Sequence, residues 1–171
     1  MRPMRLYAAK VGAIASEIVN ALVSSNDIET ENPREVQLDV ESVLNSYIQT
    51  EREATERAKE IMQARGQTGD FARIKRLAAE QKGIKVGDEA VDYILDQIVE
   101  MLLHSNNVDE LYAEDVELRR KMAPILKKHM AVDDELEREV RGKLKHVKEG
   151  TRMWEIEYAR MREEIRRRKG L

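Results

Sequence analysis

Two stretches of the chain carry the same run of apolar positions, eighty residues apart. In Val91 to Leu103, residues Val91, Ile94, Leu95, Ile98 and Leu102 recur at the three-and-four spacing of one helical face. In Val11 to Val23, residues Val11, Ile14, Ala15, Ile18 and Leu22 fill the matching positions. Asp88 stands where the later helix wants an N-cap acceptor, and Ser105-Asn106-Asn107 supplies polar residues to end it. Ser25-Asn26-Asp27 closes the earlier copy in the same way. Faces this apolar must leave water, and each is the nearest candidate to cover the other. Ile18 and Ile98 are therefore expected in one core.

The remaining periodicity also predicts rods. Residues 1–9 are either extended or lead into a first helix, Lys10 to Ser24. Ile28 to Asn32 reads as a loop, with Asn32 as N-cap and Pro33 at the first helical position, where its missing N–H costs nothing. From Pro33 the stripe Val36, Val40, Val43, Tyr47, Ala54, Ala58 and Ile61 persists to Arg65. That helix would extend about 50 Å at 1.5 Å per residue.

Gly66 to Asp70 breaks the pattern, and Asp70 caps a short helix, Phe71 to Gln81, facing inward through Phe71, Ile74, Leu77 and Ala78. Gly83 ends it. Beyond the central helix, Val108 to Ala113 is too short to assign. A helix starting at Glu114 or Asp115 carries Leu118, Met122, Ile125, Leu126 and Met130, with Pro124 inside it as a kink. Asp133 is the expected N-cap for Asp134 to Lys148, which points Leu136, Val140, Leu144 and Val147 inward and stops at Gly150. Thr151 caps a last helix, to Arg168, striped with Trp154, Tyr158, Met161 and Ile165.

The repeat extends beyond the two apolar helices. With two residues inserted in the second loop, an offset of 82 sets Val36 on Leu118, Val40 on Met122, Leu44 on Leu126 and Ile48 on Met130. The same offset sets Ala54 on Leu136, Ala58 on Val140 and Met62 on Leu144. The chain then divides into repeat one, 11–65; a connector with a short helix, 66–88; repeat two, 89–149; and a C-terminal helix, 151–168. Units that cannot bury their own faces are expected to stack. Four matched pairs are opposite in charge: Asp39 and Lys121, Arg52 and Asp134, Glu56 and Arg138, Arg57 and Glu139. About a pseudo-two-fold axis such residues would face each other and favour pairing of unlike halves. The plainer reading is that solvated helix faces drift freely in charge.

Composition narrows the class. Charged residues at 37%, aromatics at 4% and only three prolines suit long helices better than sheet. Periodic Val, Ile, Leu, Met and Ala argue against disorder despite the charge. The expected fold is all-α, a helical bundle built from an internal duplication of a short plus a long helix, with a C-terminal clamp helix. A net charge of −3 offers no global attraction to nucleic acid or anionic lipid. The absence of cysteine removes disulfides, thiolate catalysis and thiolate-held metals. The basic N-terminus could open a signal peptide, but Glu17 and Asn20 interrupt the apolar stretch, and no window reaches membrane-span length. The expected location is the cytoplasm, with no membrane partner.

Several stretches resemble one bacterial family. They are Asp39-Val-Glu-Ser-Val-Leu44, Thr50-Glu-Arg52, Gly87-Asp-Glu-Ala-Val-Asp-Tyr-Ile94, Ala113-Glu-Asp115, Glu117-Leu-Arg-Arg-Lys-Met122, Pro124-Ile-Leu-Lys-Lys-His-Met130, Trp154-Glu-Ile-Glu-Tyr158 and Arg167-Arg-Lys-Gly-Leu171. Together they are similar to the family filed as domain of unknown function 507. The resemblance covers nearly the whole chain and implies a soluble cytoplasmic bacterial protein. It carries over no activity, ligand or catalytic residue.

Candidate chemistry is sparse. Glu100 with His104, and His129 with Asp133, stand four apart and could share a metal, but carboxylate-bridged bundles want Glu-x-x-His pairs and further inward glutamates. His104 near a helix C-terminus equally complements the dipole. The acidic loops, Asp27, Glu29 and Glu31, then Asp109, Glu110, Glu114 and Asp115, lack the glycine turn and spacing of a calcium loop and read as caps and first-turn charges.

Basic residues cluster twice, as candidate phosphate-binding ridges. Arg119, Arg120, Lys121, Lys127, Lys128 and His129 border Pro124; Arg160, Arg162, Arg166, Arg167, Arg168 and Lys169 load the last helix. Against that, Glu163–Arg167 and Glu164–Arg168 are good i,i+4 pairs, and aromatic interleaving for base stacking is absent. The stripe Trp154, Tyr158, Met161 and Ile165 belongs to neither repeat; it either clamps across both halves or anchors a partner. No Gly-rich phosphate loop, nucleophile elbow or His-Glu-x-x-His run is present.

The resulting expectation is a non-enzymatic helical binding protein with a protein partner or self-association, no cofactor and no inferred small-molecule substrate. An RNA- or ribosome-associated factor using the basic faces is the alternative, and a metal-dependent helical-bundle enzyme the second.

Overall fold

The computed structural model describes residues 5–148 and 151–168, without the side chains of residues 132–135. Gly150, Lys169, the Asp133 and Asp134 side chains and the first four residues, with the readings placed on them, lie outside this description.

Seven α-helices account for nearly all the regular structure among these residues. They are α1 (Val11–Ser24), α2 (Pro33–Ala64), α3 (Phe71–Gln81), α4 (Ala90–His104), α5 (Asp115–Met130), α6 (Val132–Lys143) and α7 (Arg152–Arg168). A single 3-10 turn, Ala8–Lys10, leads into α1. The fold is an all-α helical bundle, as the periodicity predicts. One element was not anticipated. The segments read as loops hold β1 (Ile28–Glu29) and β2 (Glu110–Leu111), paired antiparallel with Ile28 opposite Leu111 and Glu29 opposite Glu110. Two-residue strands are too short to leave a period in sequence. Their register is nevertheless what a two-fold axis requires, since at the offset of 82 each pair maps onto the other.

Helices α1, α2, α4 and α5 form the bundle, each short helix flanked by both long ones. The expectation that α1 and α4 cover one another directly is corrected. They are not a principal helix–helix contact and meet through the shared core. Ile18 and Ile98 are both fully buried in that one cluster, with Ile14, Leu22, Ile94 and Leu102. The offset positions agree in burial throughout: Val36 and Leu118, Val40 and Met122, Leu44 and Leu126, Ile48 and Met130 are buried in both halves.

Beyond the bundle the halves continue as two arms. In the first, Ala58 and Met62 of α2 pack on Ile74 of α3. In the second, the matched Val140 and Leu144, with Leu136, pack on Ile165 of α7. α7 is thus the structural counterpart of α3 and not a clamp across both halves. Leu136, Val140 and Leu144 reach it first along the chain, and among the described residues Tyr7 alone joins their buried cluster from elsewhere.

Several local expectations also need correction. Asp88 lies in a 3-10 turn, Gly87–Glu89, and α4 begins from Glu89 without a side-chain cap. Asn32 holds the N-cap position of α2 but makes no side-chain cap bond. α6 starts at Val132, before Asp133, because Ala131 keeps right-handed helical angles, and it ends at Lys143 instead of Lys148. Leu77 is 48% exposed, its place taken by Ala79. The two Ser-Asn stops differ. Asn26, at φ 58, turns left-handed and lets the Asp27 and Asn26 amides close on the Leu22 and Val23 carbonyls, whereas Ser105 is extended. Asp70 caps α3 as expected, accepting from the Ala72 and Arg73 amides, and Thr151 accepts from the Trp154 amide.

Candidate functional site

Between the two arms opens a cleft of about 760 Å³. The distal half of α2, from Ile48 to Gln63, and Phe71 and Lys75 of α3 form one wall. α7 forms the other, through Trp154, Tyr158, Ala159, Arg162 and Arg166, and the N-terminal segment Arg5–Ala8 lies along it. Volumes of several hundred cubic ångströms suit ligand and peptide recognition.

The charge of the lining runs against that of the whole protein. Among the described residues, Arg5, Arg52, Lys59, Lys75, Arg162 and Arg166 line the cleft against Glu51, Glu155 and Glu163. Glu51, largely shielded from water, bonds Lys75 at 2.5 Å. Burial works to raise its carboxyl, but the Lys75 and Arg5 charges, the Lys75 hydrogen bond and Arg162 outweigh burial and hold it below its ordinary range. Three cations thus bear on one carboxylate. Arg52 is exposed, and among the described residues Lys59 pairs with the exposed Glu56 alone, at 3.2 Å and outside the lining.

The aromatic wall is ordered from within its own arm. Trp154 stacks on Tyr158 with ring centroids 4.8 Å apart and planes at 23°, and the Arg141 guanidinium lies 5.5 Å over the Trp154 ring. The Tyr158 hydroxyl donates to Glu137 of α6, and Arg162 donates to the Tyr7 hydroxyl at 3.2 Å. Trp154, Tyr158 and Met161 are partly buried against the arm cluster, and Ile165 fully so. The stripe therefore divides: Ile165 is arm core, while Trp154 and Tyr158 also face the cleft.

The two basic ridges are not brought together. On α5, Arg119 bonds Asp96 at 2.5 Å and also Asp115, Lys121 bonds Asp27, and Lys128 bonds Glu17 at 2.7 Å. Arg120 and Lys127 are exposed and in no ion pair among the described residues. On α7, Arg166 and Arg167 bond Glu163 at 2.8 and 3.4 Å, while Arg168 reaches Glu139. Glu164 pairs with Arg160 at 3.7 Å in place of the anticipated Arg168. Of the described ridge residues, Arg162 and Arg166 alone line the cleft.

Two of the three histidines form carboxylate pairs, His104 with Glu100 and His129 with Glu17, each at 2.9 Å. Among the described residues no group of three or more His, Asp or Glu side chains is gathered as a metal ion would need.

Sequence reasoning found Trp154, Tyr158 and Arg166 but missed Arg5, Arg52, Lys59 and Lys75. Arg52 and Lys59 sit beside glutamates in sequence, while Arg5 lies in the short basic N-terminus and Lys75 between Arg73 and Arg76, and nothing local links the four. Only the approach of the arms makes them one surface.

A family model described as "Protein of unknown function (DUF507)" matches residues 4–171. No curated protein matches the chain. No helix among the described residues is long and apolar enough to cross a membrane.

Proposed function

The chain belongs to the DUF507 family, whose description carries no activity to transfer, and from its geometry we propose a non-enzymatic binding protein of the bacterial cytoplasm. The cleft between its arms receives an acidic segment of a protein partner. The observation that carries this reading is the grouping of Lys75, Arg5 and Arg162 about the single carboxylate of Glu51, beside an aromatic wall. Cationic side chains select carboxylates and steer their approach, while Trp154, Tyr158, Phe71 and Met62 offer apolar anchorage. The two halves are read as a tandem duplication, supported by their matched burial and strand register.

A photoreactive residue in place of Ala159, exposed on the cleft wall, tests this in native lysate against the same residue in place of Leu77, exposed outside the cleft. Protein adducts from position 159 alone are expected. Equal adducts from both positions, or none from 159, would overturn the reading.

The RNA reading has one observation in its favour, the exposed Arg120 and Lys127, which are in no ion pair among the described residues. RNA adducts at position 159, abolished by high salt, would replace the protein partner with nucleic acid. Against it, the Trp154 ring is already covered by Tyr158 and Arg141, so a stacking base would have to displace one of them.

A further inference from the structure

The opposite end of the molecule carries the complement of the cleft. The β1–β2 ribbon and the start of α5 expose Glu29, Asp109, Glu110, Glu114, Asp115 and Glu117. Among them stand two apolar side chains turned to water, Tyr112 at 63% and Val116 at 64% exposure. The Tyr112 hydroxyl donates to Glu29 at 2.7 Å, tying this side chain to the neighbouring strand of the ribbon. Exposed aromatic and aliphatic side chains ringed by charge are what an interface anchor looks like before it is covered. α2 starts beside β1 and reaches the cleft residue Lys59 after about 40 Å at 1.5 Å per residue. Acidic pole and cationic cleft therefore cannot meet within one molecule.

We propose that the acidic pole of one copy, led by Tyr112 and Val116, docks into the cationic cleft of a second copy, so that the protein associates head to tail. This rests on the cleft being a binding site for acidic polypeptide and names this chain as one source of it. The contact joins two different surfaces, and so leaves a free pole and a free cleft at the ends of every assembly until it closes as a ring. The acidic pole cannot serve a polyanion, which separates this occupant from nucleic acid.

Sedimentation velocity at low salt over a wide concentration range tests the proposal on the full chain. The wild type is expected to form species that grow with concentration and dissociate at high salt. Arg52→Gln with Lys59→Gln weakens the cleft, and Tyr112→Ser with Glu110→Gln weakens the pole. Each pair of changes alone should weaken association by at least about tenfold. Circular dichroism checks that helicity is retained, all four positions being exposed.

Mixing the two variants leaves one intact cleft facing one intact pole, and should yield dimers and nothing larger. Trp154, the only tryptophan in the chain, stands on the cleft wall, and its emission should change as those dimers form. A wild type that stays monomeric at every concentration, or association unaffected by the cleft variant, overturns the proposal. If position 159 then still yields adducts with other proteins, the cleft remains a binding site and only the self-docking falls.

Discussion

The Lys121 ammonium of α5 bonds the Asp27 carboxylate at the end of the other half's short helix, 94 residues earlier. At the matched position in α2, Asp39 accepts from the Ser105 hydroxyl at 2.6 Å and the Asn107 amide at 2.9 Å, at the end of α4. Each long helix thus ties down the loop that follows the opposite short helix. The charge reversal between Asp39 and Lys121 is accounted for without their touching, because one loop offers a carboxylate and the other offers donors. In place of a pairing of these counterparts across an axis, the sharper of the two readings of the charge reversal, the halves make this exchange. Glu56 and Arg57 likewise bond Lys59 and Glu60, their own neighbours on α2.

Asp27 is the only buried charged side chain among the described residues. Its carboxylate also receives the Ser25 hydroxyl at 2.7 Å, and its backbone carbonyl receives the Tyr112 and Ala113 amides. Asp27→Asn leaves Lys121 facing a neutral amide and should cost about 1–3 kcal/mol in urea unfolding. In a double-mutant cycle with Lys121→Met, the paired change should cost less than the sum of the two.

Acid should find these pairs first. Burial works to raise the Asp27 carboxyl, but Lys121 and Ser25 outweigh it and hold it below its ordinary range. Glu17 is held low by its hydrogen bonds to Lys128 and His129. A carboxylate with a lowered folded-state pKa contributes stability that is fully present above its unfolded value and lost as pH falls through the folded one. Unfolding free energy should therefore decline from about pH 4.5 downward, and Glu17→Gln should shallow that decline.

Ile18 and Ile98 occupy matched, fully buried positions in the same core. Ile18→Ala and Ile98→Ala should each cost about 2–5 kcal/mol, the range for truncating a buried aliphatic side chain. Chemical denaturation should show a single loss of the bundle in either case, because the two side chains belong to one cluster.

The α6–α7 arm has its own small core. Leu136, Val140, Leu144, Ile165 and Tyr7 form a cluster separate from that of the bundle. Leu136→Ala should accelerate amide exchange in α6 and α7 while leaving protection in α1 and α4 largely unchanged. Uniform loss of protection would show instead that arm and bundle unfold as one.

Much of this architecture was legible as periodicity. The spacing of Val91, Ile94, Leu95, Ile98 and Leu102, and of their partners in α1, dictates helices with one apolar side whatever lies opposite, since a 3.6-residue turn leaves no other way to hide them. Pro33, Asp70 and Thr151 marked helix starts through chemistry local to a single turn. The ribbon between β1 and β2 and the diagonal placement of α1 and α4 both depend on residues remote in sequence. So does the cleft. Arg5, Lys75 and Arg162 become neighbours of Glu51 only because two arms, built on separate small cores, come to rest facing each other. Periodicity records which side of a rod avoids water; which rods then share a boundary is decided by the packing of whole surfaces.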